Sequence, residues 1–262
     1  MKVGSPGLKQ NARNVIVIER GIQRYNRFKA DHVKHFGATP KGRLLDFGCG
    51  AGAFVIAALR DGLDVAGVEV DRDREIQFKS AARRHEPEAL DCLNMYSGRS
   101  LPFPSRHFDA CYSWFVFEHV TDPQISLREI VRVLKPGATL SLHADDVRNC
   151  WDGHAMFAWP PYLPREFVPA YAEGLGIPEQ AEFLKEQVVY ISAAVIVDIL
   201  QTLGMRILDC NSHPSSMPAL LEDGLYVTNE EEARALGRKI AAAGSRQPPT
   251  ENLRIFAVKD VR

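Results

Sequence analysis

The sequence of 262 residues lacks a long apolar run, a surplus of either charge and a leader-like N-terminus. Lysine plus arginine number 32 and aspartate plus glutamate 33, a net charge of -1. So balanced a chain has no overall field to attract nucleic acid or an anionic membrane, and we expect neither as a partner. No stretch reaches the roughly 20 apolar residues of a membrane span. The first residues also lack the apolar segment of a signal peptide, so a cytoplasmic location is expected.

The sequence has few cysteines, and they are widely spaced. The five positions, with no C-x-x-C motif among them, are Cys49, Cys92, Cys111, Cys150 and Cys210. An odd number of widely spaced cysteines in a chain of this length favours free thiols in a reducing compartment. The spacing also offers no metal-ligand pattern.

The remaining composition, 45% hydrophobic and 25% charged, is that of a globular protein. Apolar runs alternate along the chain with segments of helical periodicity, which predicts a parallel sheet with helices on both faces. The fold class expected is therefore α/β, a doubly wound, mostly parallel, seven-stranded Rossmann-like sheet. The strands are predicted at 43–47, 65–70, 89–94, 108–113, 138–143, 205–210 and 253–259. The helices are predicted at 10–36, 53–59, 71–84, 124–134, 191–203 and 230–243.

The pattern predicts a single domain over residues 1–262 with two additions. Residues 1–40 form an N-terminal helical cap. The alternation stops at residues 145–190, which are rich in proline and aromatic residues and are interpreted as an inserted substrate lid. The role of the connection at 212–250 is left open.

A glycine-rich turn follows the first predicted strand and precedes a helix. Its glycines are Gly48, Gly50 and Gly52, and Glu69 follows Gly48 by 21 residues, at the end of the next strand. Glycine lets a ligand approach the backbone, and an acid at this distance can bind ribose hydroxyls. The loop alone fits NAD as well as an adenosyl ligand. Asp46 favours the second, because an anion there disfavours a pyrophosphate and suits a cationic amino group.

Four segments between residues 42 and 142 together resemble a class I S-adenosylmethionine-dependent methyltransferase. They are Leu45-Asp46-Phe47-Gly48-Cys49-Gly50-Ala51-Gly52, Gly67-Val68-Glu69-Val70-Asp71, Leu101-Pro102-Phe103-Pro104 with His107-Phe108-Asp109 and Ser113, and Phe117-Glu118-His119-Val120 with the segment 129–137. The resemblance implies S-adenosylmethionine as cofactor and S-adenosylhomocysteine as product. It also implies a small-molecule acceptor.

The resemblance assigns the cofactor to a defined set of residues. The loop would pass under the methionine part, with Asp46 near its amino group, Glu69 on the ribose and Val70 against the adenine. Asn94, where the family often has aspartate, would hold the adenine edge with Met95, and Ser113 with Trp114 would border the sulfonium. The full set is Asp46, Gly48, Cys49, Gly50, Gly52, Glu69, Val70, Asn94, Met95, Ser113 and Trp114.

Transfer to a hydroxyl needs a general base, for which histidine is suited at neutral pH. His119 follows the fourth predicted strand, and Asp145 and Asp146 follow the fifth, at the edge where ligands bind in such sheets. Family members that methylate sugar hydroxyls resemble this arrangement, although His119 equally fits a loop-fixing role. In the lid, His154, Trp159 and Tyr162 are candidate acceptor contacts. His143 is expected in the core, and Tyr190 and His213 are weaker candidates.

Several alternatives remain at this stage. Asp145, Asp146 and Asn149 could act as magnesium ligands, but their spacing is not diagnostic, and no metal is predicted. Methyl transfer to nitrogen or carbon would make a histidine base unnecessary. An NAD-linked oxidoreductase and a non-catalytic protein that binds a nucleoside cofactor are the other classes considered. A homodimer is also left open.

Overall fold

A computed structural model of the chain describes residues 6–161, 163–189, 191–211, 227–244 and 253–261, with side chains from residue 18 onward. Its centre is a seven-stranded sheet. The chain's strands are β1 Arg43–Phe47, β2 Asp64–Glu69, β3 Leu93–Met95, β4 Phe108–Trp114, β5 Leu134–Ala144, β6 Trp151–Asp152, β7 Phe157–Ala158, β8 Met205–Asn211 and β9 Leu253–Lys259. In the large sheet their order is β3-β2-β1-β4-β5-β9-β8, and only β9 runs antiparallel to its neighbours. The predicted fold class is confirmed.

Helices cover both faces of this sheet. Their bounds are α1 Pro6–Phe36, α2 Ala53–Arg60, α3 Arg72–His85, α4 Pro123–Val133, α5 Val168–Leu175, α6 Ala181–Glu186, α7 Ala193–Thr202 and α8 Glu230–Ala242. One hydrophobic core joins α4 and α7 to the sheet, and another joins α1, α2 and α3 to its opposite face. The central strands are buried on both sides, which explains why β1 and β2 read as continuous apolar runs.

Strands β1 and β4 are adjacent, and the chain winds in opposite directions from them. Ligands of doubly wound sheets bind at this reversal, outside the carboxyl ends of the strands. The loops after β1, β2, β4 and β5 therefore form the edge where a site is expected. Among the described helices, none is long and apolar enough to cross a membrane.

Two strand boundaries differ from the predictions. The apolar residues at 89–92 belong to a 3₁₀ turn, Pro87–Cys92, and β3 is only Leu93–Met95. Strand β5 begins at Leu134, ahead of Pro136, which cannot donate a ladder hydrogen bond. Its register against β4 shifts there, from Phe108 opposite Leu134 to Ala110 opposite Thr139.

The segment predicted as a lid has a hydrophobic core separate from those of the sheet. This core contains residues between Cys150 and Val188 together with α8, whose apolar face packs on α5. Tyr171 lies within it and donates a hydrogen bond of 2.7 Å to the carbonyl of Ala158. The helix predicted at 230–243 thus packs on the segment at 145–190 rather than on the sheet.

Candidate active site

The glycine loop leaves β1 in a conformation that only glycine adopts easily. Gly48, Gly50 and Gly52 have φ values of 78°, 54° and 77°. The N–H groups of Gly48 and Cys49 donate to the carbonyl of Val68, at 3.1 and 3.0 Å, which fixes the loop to β2. A Cβ atom on Gly52 would lie 2.4 Å from the ring of Phe78, whereas one on Gly50 would meet nothing within 4 Å. The loop is therefore packed at Gly52 and open at Gly50.

Cys49 lies in this loop with its side chain turned into the core. It is buried, and a Cβ on Gly67 would lie 2.8 Å from its Sγ. Burial raises the pKa of the thiol well above its ordinary value, so it stays protonated at neutral pH. Only the backbone of Cys49 is available to a ligand.

Glu69, at the end of β2, is connected to the loop by its carboxylate. Oε2 accepts a hydrogen bond from the N–H of Gly50 at 2.9 Å, and Oε1 accepts from Val70 and Asp71 at 2.8 and 3.1 Å. A carboxylate has about four acceptor positions, so these three bonds orient it without exhausting it. Val70 beside it is 53% exposed, an unusual state for a valine that follows a buried strand.

Asp46 lies within β1 and is buried. Its pKa is raised to about 7, mainly by burial; Arg24 of α1 opposes the rise, and the carboxylate of Glu69 adds to it. Two carboxylates at a buried edge repel each other, and a cationic ligand between them would relieve that repulsion. The donor set of this edge thus fits a ligand with a cationic amino group and a ribose, and the open backbone at Gly50 leaves room for it.

The residues at the end of the third strand make contacts with the backbone of the sheet. The side-chain amide of Asn94 donates to the carbonyls of Cys92 and Gly67, at 3.0 and 3.5 Å, and Met95 is paired with Glu69 in the sheet. Tyr96, which the sequence did not single out, donates its N–H to the carbonyl of Glu69 at 3.1 Å. Burial and the nearby Glu69 carboxylate raise the pKa of its phenol.

Ser113 and Trp114 end β4 at the same edge. Ser113 is fully buried, and within the described residues its Oγ has no hydrogen-bond partner. The Trp114 ring lies 4.6 Å from that of His143 and 5.5 Å from the guanidinium carbon of Arg27. Trp114 therefore borders the edge from the side of α1.

His119 follows β4 in a short 3₁₀ turn and is exposed. Its Nδ1 lies 2.8 Å from the carbonyl of Gln187. A carbonyl only accepts, so Nδ1 carries the hydrogen, and Nε2 of the neutral ring is left with a free lone pair. Although the residue as a whole is exposed, His154 and Phe183 pack near its ring, and the resulting desolvation, opposed by that hydrogen bond, lowers the pKa of His119 from its ordinary value.

His154 brings the segment after β5 to His119. The two ring centroids are 5.0 Å apart, and both rings contact Phe183 of α6. Nδ1 of His154 lies 3.6 Å from Oδ1 of Asp152, and this carboxylate raises the pKa of His154. The two histidines therefore differ in the charge they favour: His119 favours the neutral ring, and His154 favours the imidazolium cation.

A cleft beside these histidines is lined by acidic side chains, with Glu118, Asp145, Asp152 and His154 at its polar wall. Glu118 is buried, and its pKa is raised to about 8, mainly by burial, with smaller contributions from Asp145 and Asp152 that a backbone hydrogen bond and His154 oppose. The pKa of Asp145 is raised to about 6, first by burial and then by Asp152, while His154 opposes the rise. The sequence marked Glu118 only as part of a family signature, since nothing in the pattern reveals that its carboxyl is buried.

Two other predicted site residues have structural contacts instead. Asp146 is fully buried, and its carboxylate accepts from the backbone and guanidinium of Arg148 and from the N–H of Ala193, which begins α7. Trp159 is buried in the lid core, 5.1 Å from the ring of Tyr171. Neither side chain is available to an acceptor in this arrangement.

Some expectations concern other parts of the chain. Tyr162, Tyr190 and His213 lie outside the described residues. His143 is buried, and burial lowers its pKa to about 3. In the part of the chain that the structure covers, no three His, Cys, Asp or Glu side chains come together as metal ligands would.

Comparison with known proteins agrees with this geometry. The family profile of the methyltransferase domain matches residues 45–142. An uncharacterized methyltransferase of Mycobacterium sp. (strain JLS) is 40% identical over 119 residues, 45% of each chain. The 2-phytyl-1,4-naphtoquinone methyltransferase of Synechococcus elongatus is 31% identical over 144 residues, 53% of this chain and 60% of that one.

The fold is shared with solved methyltransferases. The geranyl diphosphate C-methyltransferase of Streptomyces coelicolor A3(2), solved with Mg2+, geranyl-S-thiolodiphosphate and S-adenosylhomocysteine, superposes with a TM-score of 0.52. It is 20% identical, and the match covers 89% of this chain and 74% of that one. By sequence, the chain spans about half the length of the curated relatives it matches.

Proposed function

We propose that this chain, whose residues 45–142 match the methyltransferase domain, is a class I S-adenosylmethionine-dependent methyltransferase that transfers a methyl group to a hydroxyl of a sugar or natural-product-like small molecule. The observation that carries the proposal is that two groups of residues follow neighbouring strands of the sheet. Asp46, the glycine loop and Glu69 form one with the character of the family's cofactor site. His119 and Asp145 form the other, at the ends of the neighbouring strands.

On the cofactor side, Asp46 and Glu69 are the groups that would hold S-adenosylmethionine. Asp46 suits its amino group, and the remaining acceptor positions of Glu69 suit ribose hydroxyls. The exposed side chain of Val70 offers an apolar face for the adenine. Bound there, the cofactor supplies the methyl group, and its sulfur keeps the electron pair of the broken bond.

On the acceptor side, His119 is proposed as the general base. The hydrogen bond from Nδ1 to Gln187 fixes the tautomer, so Nε2 is the basic atom. The acceptor hydroxyl forms its new bond to the methyl carbon while its proton passes to Nε2. The lowered pKa keeps the ring neutral, and therefore ready to accept the proton, at pH 7.

The segment 145–190 is proposed as the lid of the acceptor site, and residues 1–40 as an N-terminal cap on the same single domain. The contact of His154 with His119 supports the proposed lid, because it brings that segment to the edge of the sheet. Its own hydrophobic core makes the lid a defined wall for the pocket. A cytoplasmic location remains part of the proposal, and all five cysteines are free.

Methyl transfer to carbon is the second candidate. The relative from Synechococcus elongatus is named for a naphtoquinone acceptor, and aromatic carbon acceptors would also suit a lid rich in aromatic residues. The two candidates predict different products from one incubation.

The test is transfer of the labelled methyl group of [methyl-13C]S-adenosylmethionine to a metabolite extract, followed by NMR of the products. A methyl bound to oxygen resonates far downfield of one bound to carbon. The proposal expects O-methyl signals that disappear with His119→Asn. Signals of C-methyl or N-methyl groups alone would contradict the hydroxyl acceptor.

A further inference from the structure

The cleft between the sheet edge and the lid contains an acidic side chain that the proposed chemistry does not use. Glu118 is 3% exposed, and its Oε2 has no hydrogen-bond partner among the described residues. A buried carboxyl oxygen without a partner is costly, because it has lost its contact with water and gained nothing in return. Glu118 lines the cleft, so a donor bound in the cleft would supply the missing partner.

The charge of the wall identifies that group as a cation. Asp145 and Asp152 lie on the same wall as Glu118, and the lining contains no lysine or arginine. His154 is the one basic side chain in this lining, and its Nδ1 already lies 3.6 Å from Oδ1 of Asp152. The pKa of Glu118 is raised to about 8, so its carboxyl is mostly protonated at neutral pH. A cationic donor bound beside it would favour its carboxylate and balance the negative charge of the wall.

The size of the cleft restricts the cation further. Its inner part has room for a group of about the size of one water molecule, and its other wall is apolar, with Trp151, Val188 and Ile191. A primary ammonium fits this space and offers three donors to the carboxyls. A quaternary ammonium is too large.

We infer that the acceptor carries a primary ammonium group, which Glu118, Asp145 and Asp152 bind beside the reacting hydroxyl. This inference rests on the proposed function and names the class of acceptor as an amino alcohol or amino sugar. The inference also explains why the acceptor would be methylated on oxygen rather than on nitrogen. An ammonium held among carboxylates stays protonated and has no lone pair to accept a methyl group. The hydroxyl is then the only nucleophile near His119.

The test uses methylammonium, the smallest probe with this head group. 13C-methylammonium chloride is titrated into the full chain saturated with S-adenosylhomocysteine, and the probe's line width is followed by NMR at constant ionic strength. Methanol serves as the neutral analogue and tetramethylammonium as the oversized cation. The expected result is saturable binding of methylammonium and no saturable binding of the other two.

Variants assign the binding to the cleft. Glu118→Gln is expected to weaken methylammonium at least tenfold, while the same change at the exposed Glu182 leaves it unaltered. Calorimetry with S-adenosylhomocysteine on each variant shows whether the protein is folded and the cofactor edge intact. Equal binding of methanol, equal binding to Glu118→Gln, or displacement of the probe by magnesium would overturn the inference. Failure of S-adenosylhomocysteine to bind at all would instead refute the proposed function.

Discussion

His119, from the loop after β4, and His154, from the segment after β5, lie with their ring centroids 5.0 Å apart and their planes at 69°. Opposite environments set their charges. The pKa of His119 is lowered by burial, and that of His154 is raised by Asp152. His119 is therefore the ring that can accept a proton. His154, which favours the protonated form, can pair with a negatively charged group.

Replacement of His119 by asparagine tests the proposed base. The asparagine amide can still donate to Gln187 but has no equivalent of Nε2, so we expect kcat to fall about 100-fold or more while the affinity for S-adenosylhomocysteine is unchanged. The measurement is the rate of S-adenosylhomocysteine release with an acceptor that the enzyme turns over. His154→Asn is the matched comparison and is expected to act on KM more than on kcat.

The pH profile adds a second readout for His119. Because the pKa of His119 is lowered from its ordinary value of 6.5, the rate should fall only below that pH and be flat above it. A wild-type profile with a limb that persists in His119→Asn would assign that limb to another group.

The glycine loop offers two substitutions with opposite consequences. Alanine at Gly50 meets nothing within 4 Å and costs only the strain of its positive φ, about 1–2 kcal/mol, but its methyl group projects into the open space above the loop. Alanine at Gly52 meets the ring of Phe78 as well, for a total of about 2–5 kcal/mol. Gly50→Ala should therefore weaken S-adenosylhomocysteine more than it destabilises the protein, and Gly52→Ala should do the reverse. Urea unfolding and calorimetry on both variants measure this, and identical behaviour would contradict it.

Asp146→Asn tests whether Asp146, unlike its neighbour Asp145, has only a structural role. The Asp146 carboxylate is fully buried and accepts from Arg148 and Ala193, so loss of its charge should lower the free energy of unfolding by about 1–3 kcal/mol. Cofactor affinity and kcat should stay within about twofold of wild type, since these contacts are structural. Urea unfolding checks the first expectation. A large loss of kcat in a stable Asp146→Asn protein would return this residue to the reacting site.

Glu118 should make stability depend on pH. Its pKa is raised from its ordinary value of 4.5 to about 8 in the folded protein, so between these values the folded state binds more protons than the unfolded state. The free energy of unfolding should therefore fall as pH rises from about 4.5 to 8, by an amount of order a few kcal/mol. Neighbouring acids contribute too, so the informative quantity is the difference between wild type and Glu118→Gln, measured by urea unfolding at pH 5 and pH 8. Glu118→Gln should reduce the fall, and Glu182→Gln should not.

The sequence was sufficient for the sheet and for the cofactor edge because both depend on local signals. The glycines, Asp46 and Glu69 stand next to strands whose apolar runs are unmistakable, and parallel strands bring their carboxyl ends to one edge. Strand β3 was harder because only three of its residues are in the sheet, and the apolar residues before them form a 3₁₀ turn opened by Pro87.

The acceptor edge was less predictable because its properties arise from contacts between distant segments. Glu118 and Asp146 are both acids beside a strand end, and only packing makes one an orphaned carboxyl and the other a structural partner of Arg148. Trp159 resembled a candidate acceptor contact, yet it is buried in the separate hydrophobic core of residues 150–188 and α8. The packing of α8 on α5 joins segments more than 50 residues apart, and no local pattern indicates it.

The central claim is that the edge formed by Asp46, the glycine loop and Glu69 binds S-adenosylmethionine. The most direct measurement is isothermal titration of the protein with S-adenosylhomocysteine and, separately, with NAD. We predict saturable binding of S-adenosylhomocysteine and none of NAD. Glu69→Gln should weaken the binding about tenfold or more through the lost charge-assisted hydrogen bonds, while Glu88→Gln, at an exposed position, should not. Binding of NAD without S-adenosylhomocysteine would contradict the account.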